Sequence, residues 1–291
     1  MNPAGRKSGL FCGMTTVDII YLIENLPAID EKIVALDQLV VAGGPATNAA
    51  VAFSALGGKS TLASVLGKHP LAVTARNDLK KYHVSHIDLI HNHVEVPVLS
   101  SVMVRKSMGE RSVVSINAVK IQAKECCDLN LLNGVDIVLV DGHQMKTSVQ
   151  LCSYARQIGI PCIMDAGSWK DGSDELLPLI DYVICSERFL PPKCVTLQDV
   201  IEYVKQRGIR HLSITRGDKP ILYIDNDREG YIEIDRTKVI DTLGAGDILH
   251  GAFCYYLLTS GRDFVKALAE ASRIASLSCM YFGTREWIGM I

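Results

Sequence analysis

The run Val135-Asp136-Ile137-Val138-Leu139-Val140 is apolar at every position but one. A half-exposed strand alternates apolar and polar side chains, because successive side chains point to opposite faces. This run does not alternate, so both of its faces are buried, which is the condition of a parallel sheet covered by helices on both sides. Short apolar runs of the same kind recur at 10–12, 61–66, 162–164, 182–185 and 212–215. Between them, 45–56, 71–82, 147–158 and 197–207 carry the longer periodicity of helices. The alternation is a βαβ rhythm and predicts an α/β fold: a doubly wound, mostly parallel sheet flanked by helices.

Two stretches break the rhythm. Residues 18–26 with 32–41, and 98–105 with 111–116, read as extended pairs of mixed polarity, the second turning at Met108-Gly109-Glu110. They predict antiparallel hairpins that project from the main sheet as a small β-sheet lid, with lid segments at about 17–42 and 97–117. No repeat, low-complexity tract or Pro/Gly/Ser linker divides the chain, so residues 1–291 read as one domain carrying that lid.

Lys and Arg total 30 against 32 Asp and Glu, a net charge of −2, which leaves no basic excess for a nucleic-acid backbone. Nine cysteines form an odd set with no C-x-x-C pair, and Cys162, Cys185 and Cys254 lie in apolar runs. A reducing, cytoplasmic setting is expected. Residues 1–8 are polar and basic with no apolar stretch behind them, and no run of 18 apolar residues exists, so neither a secretion signal nor a membrane span is expected. Gly57-Gly58-Lys59-Ser60-Thr61 imitates a phosphate-binding P-loop, but Phe53 stands where that loop needs its first glycine, and a helix cap and turn is expected. His69, His83, His86, His91 and His93 lack metal-site spacing.

The chemistry concentrates at Asp241-Thr242-Leu243-Gly244-Ala245-Gly246-Asp247, followed by the apolar stretch 248–258. Small residues at a helix start leave backbone N–H groups facing outward, where the helix dipole adds positive potential. Phosphate would be repelled by a bare carboxylate at that rim. Asp247 therefore reads as a group that takes a proton from a nucleophile while Gly244, Ala245 and Gly246 hold developing charge, which is phosphoryl transfer without a Walker loop. A second block, Gly43-Gly44-Pro45-Ala46-Thr47-Asn48-Ala49-Ala50, places two glycines and a proline at another helix start. Asp18 follows the first predicted strand, so its carboxylate is expected near the carboxyl edge of the sheet, where such folds bind ligands.

Both blocks, and their separation, resemble the two signatures of the ribokinase-like (PfkB) carbohydrate kinases, and the likeness runs from about Gly9 to Gly283. The Asp-Thr-Leu-Gly-Ala-Gly-Asp wording and Val140-Asp141-Gly142-His143 look most like the ketohexokinase and sulfofructose kinase branch. The resemblance implies ATP with Mg²⁺, a small sugar, and transfer to one of its hydroxyls. By position it implies Asp247 as general base over an anion hole of the Leu243 to Gly246 N–H groups, and Asp18, Gly44 and Asn48 on the sugar. Arg111 joins them from the lid in preference to Arg105. For the nucleotide it implies Thr215, Gly217, His250 and Gly283, the last closing the segment 267–283 over adenine. Glu187, in a segment where Ser186 replaces a common Asn, would reach magnesium through water, and Asp241 would contribute to a K⁺ site of the kind many relatives have. The lid of such kinases is often a homodimer contact. Pro45 stands where ketohexokinases use an Asn, and His143 near where sulfofructose kinases use an arginine, so neither fructose nor sulfofructose is implied. A nucleoside kinase of the same superfamily and a non-catalytic sugar-binding relative are the other readings.

Overall fold

The computed structural model describes residues 5–107, 109–117, 121–124 and 127–291. In chain order the strands are β1 (Ser8–Cys12), β2 (Thr16–Ile23), β3 (Asp37–Gly43), β4 (Lys59–Ser64), β5 (Val84–Asp88), β6 (Leu99–Arg105), β7 (Arg111–Ser115), β8 (Ile137–Val140), β9 (Cys162–Ala166), β10 (Tyr182–Ser186), β11 (His211–Arg216), β12 (Lys219–Asp225) and β13 (Arg228–Ile232). The helices are α1 (Pro45–Ala55), α2 (Ala72–Lys81), α3 (Met145–Gln157), α4 (Ser173–Leu176), α5 (Leu197–Lys205), α6 (Ala245–Thr259) and α7 (Phe264–Ser278).

The main sheet runs β13-β12-β11-β10-β9-β8-β1-β4-β5. From β5 to β11 it is parallel, and β8 lies near its centre with all four residues buried. Ile137 and Leu139 face the layer made by α1, α2, α6 and α7, while Val138 and Val140 face the layer containing α3 and α5. That two-sided burial is why the run does not alternate. Chain order reverses at β1, which pairs with β4 on one side and β8 on the other. Ligands of doubly wound sheets bind at such a switch point, beyond the carboxyl ends of the strands.

The sequence reading missed β5, β12 and β13. The last two pair antiparallel at the sheet edge, where β13 shows no fully buried residue, so they lack the continuous apolar signal of a central strand.

The expected hairpins are present as β2–β3 and β6–β7, and a parallel β2–β6 pairing (Val17 opposite Leu99 through Ile23 opposite Arg105) joins them into one four-stranded sheet, β3-β2-β6-β7. Local sequence holds no signal for that junction, because it pairs segments about 80 residues apart. Ile20, Val41, Val102 and Val104 of this small sheet pack with Phe282, Leu243 and Ile240, so it rests directly on the Gly-rich loop. Met108 of the predicted turn, the start of the N-terminal segment and Cys126 lie outside the described residues. The eight other cysteines are unpaired thiols, and no described helix is long and apolar enough to cross a membrane. Gly57, at φ +105°, ends α1 and turns the chain into β4, as expected for the false P-loop.

Candidate active site

α6 begins at Ala245 behind Gly244, whose φ of +71° places it in the left-handed region. The Leu243 N–H is already committed: it donates to Asp241 Oδ1 at 2.8 Å, and Ala245 N–H donates to the Thr242 carbonyl at 3.3 Å. Gly244, Gly246 and Asp247 N–H have no partner among the described residues. Of the four expected anion-hole donors, Leu243 and Ala245 are therefore committed within the loop, while Gly244 and Gly246 remain free and are joined by Asp247. Gly246 is exposed with open space around it, Asp247 is half-buried and Gly244 is buried against Thr284.

Asp247 is reached from α1. A Cβ on Gly251 would lie 2.1 Å from the Ala49 carbonyl oxygen, so α6 and α1 are in backbone contact at that point. Asn48 consequently reaches across and donates from Nδ2 to Asp247 Oδ2 at 2.8 Å. Desolvation, then the Asp165 carboxylate, push the Asp247 pKa up to about 7; the Asn48 hydrogen bond, His250 and Arg111 act in the opposite direction. A carboxyl poised near neutrality, beside free N–H donors, can accept a proton from a hydroxyl.

Asp18 on β2 is buried, and burial raises its pKa against hydrogen bonds from Thr16 and Ser100. Thr16 Oγ1 donates to Asp18 Oδ1 at 2.5 Å. Its carboxylate lies on the backbone of Gly43, where a Cβ would be 1.8 Å from Oδ2. Gly44, at φ +99°, approaches the Met14 carbonyl so closely that a Cβ would be 2.4 Å from its oxygen, and Pro45 opens α1 behind it. Asp141, at the carboxyl end of β8, accepts the N–H groups of Met14 (2.9 Å), Ala46 (3.1 Å) and His143 (2.8 Å). One carboxylate thus pins the ends of β1 and β8 to the start of α1. Burial lowers the His143 pKa, which favours the uncharged ring.

From the small sheet, Arg111 Nη1 donates to Thr242 Oγ1 at 2.6 Å, and that hydroxyl donates to the Gly109 carbonyl at 3.2 Å. Arg105 instead pairs with Glu110. Asp241 accepts Leu243 N–H on one oxygen and Gly283 N–H on the other at 2.9 Å, tying the two loops together; burial raises its pKa and those two bonds lower it. Among the described residues no group of three or more His, Cys, Asp and Glu is arranged to hold a metal ion by itself.

The positions expected at the nucleotide behave differently. Glu187 and Thr215 stand at the adjoining ends of β10 and β11, where Glu187 N–H donates to the Thr215 carbonyl at 3.0 Å and the Glu187 side chain is exposed. The Thr215 hydroxyl donates to the Cys185 carbonyl at 3.3 Å, and Gly217 lies beyond it at φ +67° in open space. His250 does not face outward. It is 6% exposed, with Nδ1 2.6 Å from the Gly246 carbonyl, Nε2 3.1 Å from the Ile184 carbonyl and Asp165 Oδ2 3.4 Å from Nδ1. The ring sits beneath the loop, its nitrogens taken up by the protein.

Two groups at this site escaped the sequence reading. Asp165, at the end of β9, could have been found by asking which strands end in a carboxylate. Arg285 could not, because apart from its neighbour Thr284 its partners lie more than 200 residues away.

A doubly wound sheet with a small sheet folded over its carboxyl edge is the architecture of the ribokinase fold. The ribokinase of Thermotoga maritima superposes with a TM-score of 0.78 at 18% identity over 98% of each chain. Arabidopsis thaliana ribokinase, solved with ribose and ATP, superposes with 0.74 at 21% identity over 96% of this chain and 94% of that one. Residues 10–288 match the pfkB family of carbohydrate kinases, and the chain belongs to that family. Ribokinase of Bacillus subtilis (strain 168) is 25% identical over 282 residues, 94% of this chain and 93% of that protein. The chain is thus an ATP-dependent sugar kinase by class. These likenesses do not assign it to the ketohexokinase branch.

Proposed function

We propose that this protein transfers the γ-phosphoryl group of ATP to a hydroxyl of a small free sugar, with Asp247 as general base. The observation that carries this reading is the Asp247 carboxyl, raised to a pKa of about 7, next to the unpartnered N–H groups of Gly244, Gly246 and Asp247. The sugar hydroxyl loses its proton to Asp247 as its oxygen bonds to the γ-phosphorus, and the bond to the β,γ-bridging oxygen breaks toward ADP. The free N–H groups stabilise the charge that spreads over the transferred oxygens.

Asp18, Gly44 and Asn48 bind the sugar, and Arg111 supports the site from the small sheet acting as lid. Thr215, Gly217 and Gly283 border the nucleotide. Mg²⁺ would supply charge neutralisation on the phosphates, and the exposed Glu187 carboxylate, without a side-chain partner among the described residues, fits contact with its water shell. Asp241 fits a neighbouring monovalent cation such as K⁺, because burial raises its pKa against two backbone N–H groups and the more distant charge of Arg111, which leaves a carboxylate that a cation would stabilise.

The lid also carries the case for a homodimer. Val40, Val113 and Val114 on its strands are 45%, 50% and 68% exposed, and among the described residues its outer strands β3 and β7 have unpaired edges. A partner lid would cover both. ADP release measured over a panel of pentoses, hexoses and nucleosides tests the function: turnover with free sugars supports it, turnover with nucleosides alone favours the nucleoside kinase, and ligand binding without ADP release favours a non-catalytic role.

A further inference from the structure

Asn48 is itself held. Arg285 is 6% exposed, and its Nη1 donates to Asn48 Oδ1 and to Thr284 Oγ1, each at 2.9 Å. Its Nη2 donates to the Ala42 carbonyl at 2.5 Å, and Nη2 and Nε approach Asp78 Oδ2 at 3.2 and 3.3 Å. The same Asp78 oxygen accepts the Ala42 N–H at 3.1 Å. One guanidinium therefore joins the root of the lid strand β3, helix α2, helix α1 and the segment after α7.

The ends of an amide side chain are nearly isosteric, so packing alone does not decide which faces which neighbour. A guanidinium carries donors only. Arg285 therefore requires the Asn48 oxygen on its own side, and that choice turns the Asn48 NH₂ toward Asp247 Oδ2.

We propose that Arg285 is a positioning residue for phosphoryl transfer, fixing the Asn48 amide so that an N–H donor, rather than a carbonyl oxygen, always lies against Asp247. This rests on Asp247 as the base. The distances favour it over a plain structural ion pair: the contacts to the one charged partner, Asp78, at 3.2 and 3.3 Å are no shorter than the one to the Thr284 carbonyl at 3.2 Å, and are longer than those to Asn48, the Thr284 hydroxyl and Ala42. Four groups face Asp247: Asp165 from β9, His250 on its own helix, Arg111 from β7 and Asn48 from α1. Of these, Asn48 is the one hydrogen-bonded to Asp247, and its amide offers a donor or an acceptor according to its rotation.

The test is a titration of the protein labelled with ¹³C at aspartate carboxyls, without substrate, the Asp247 signal being assigned by its loss in Asp247→Asn. Asp78→Asn alone removes the ion pair, and Arg285→Met in that background removes the donor without orphaning a buried carboxylate. The Asp247 midpoint should stay in place in Asp78→Asn and move to higher pH by about one unit in the double variant, the scale of one lost hydrogen bond to a charged group. Arg285→Lys, which keeps a donor, should hold the midpoint near its original value. In the unsubstituted protein, an Asn48 side-chain N–H resonance should shift in step with Asp247, a readout that needs no variant to fold. An unmoved midpoint in the double variant, an equal move in Asp78→Asn, or Asn48 protons indifferent to the titration would overturn the proposal. Failure of the base assignment would show separately, as retained turnover in Asp247→Asn.

Discussion

Gly251 and the carbonyl oxygen of Ala49 are in contact so close that a single added Cβ would stand 2.1 Å from that oxygen. This is where α6 lies on α1, one turn beyond the Asn48–Asp247 hydrogen bond. In an exposed helix, Gly→Ala gains about 1 kcal/mol of helix propensity. Here the obstacle is backbone, which cannot swing aside, and overpacking of about 1–3 kcal/mol wins. Gly251→Ala should lower the melting temperature and reduce kcat as the helices separate. Thermal denaturation and steady-state kinetics check both; a stabilised, fully active variant would contradict the contact.

Asp247→Asn should lower kcat by on the order of 10²-fold or more while ATP affinity holds. The same variant has a stability signature. The folded Asp247 pKa of about 7 lies above its unfolded value near 3.8, so the native state holds a proton that the unfolded chain releases. The corresponding stability is fully present below about pH 4 and is lost as pH rises through about 7. Asp247→Asn should therefore gain melting temperature relative to the parent as pH rises through that window, and a pH-independent difference would remove the raised pKa.

In the sugar site, Asp18→Ala and Asn48→Ala should each raise the KM for the sugar by the cost of an unpaired partner, roughly 1–3 kcal/mol, or about 5- to 150-fold. Isothermal titration with an ATP analogue should show nucleotide binding spared. Equal losses for both ligands would mean that the substitutions act through stability.

At the lid, Arg111→Gln should weaken the hold on Thr242, raising the sugar KM and speeding proteolysis of the turn around Gly109. Protection of that turn by saturating sugar, with dimers seen by light scattering, would place closure and dimerisation on one element. A monomer with sugar-independent cleavage would reduce the small sheet to a structural extension.

The central strands and the principal helices were legible because their signal is local: strands covered on both faces must be apolar throughout, and helices must show their period. The Gly-rich loop was legible for the same reason, since a left-handed Gly244 and a carboxylate in the first helical turn are written in consecutive residues. Polar edge strands such as β13 were not, because an edge imposes little apolar demand. The inward turn of His250 was not legible, because adjacency to the loop says nothing of which way a helical side chain turns.

Sequence alone therefore determined the sheet class and the family, and singled out Asp247 as the base we propose. Tertiary structure decided which N–H groups of that loop stay free, how two hairpins become one sheet through β2–β6, and how Asp78, Ala42, Asn48 and Thr284 meet around Arg285. The physical reason is range: helix periods, strand burial and glycine turns are set by neighbours along the chain, whereas a hydrogen bond between Arg285 and Asn48 exists only after the intervening chain has folded and brought them within 2.9 Å.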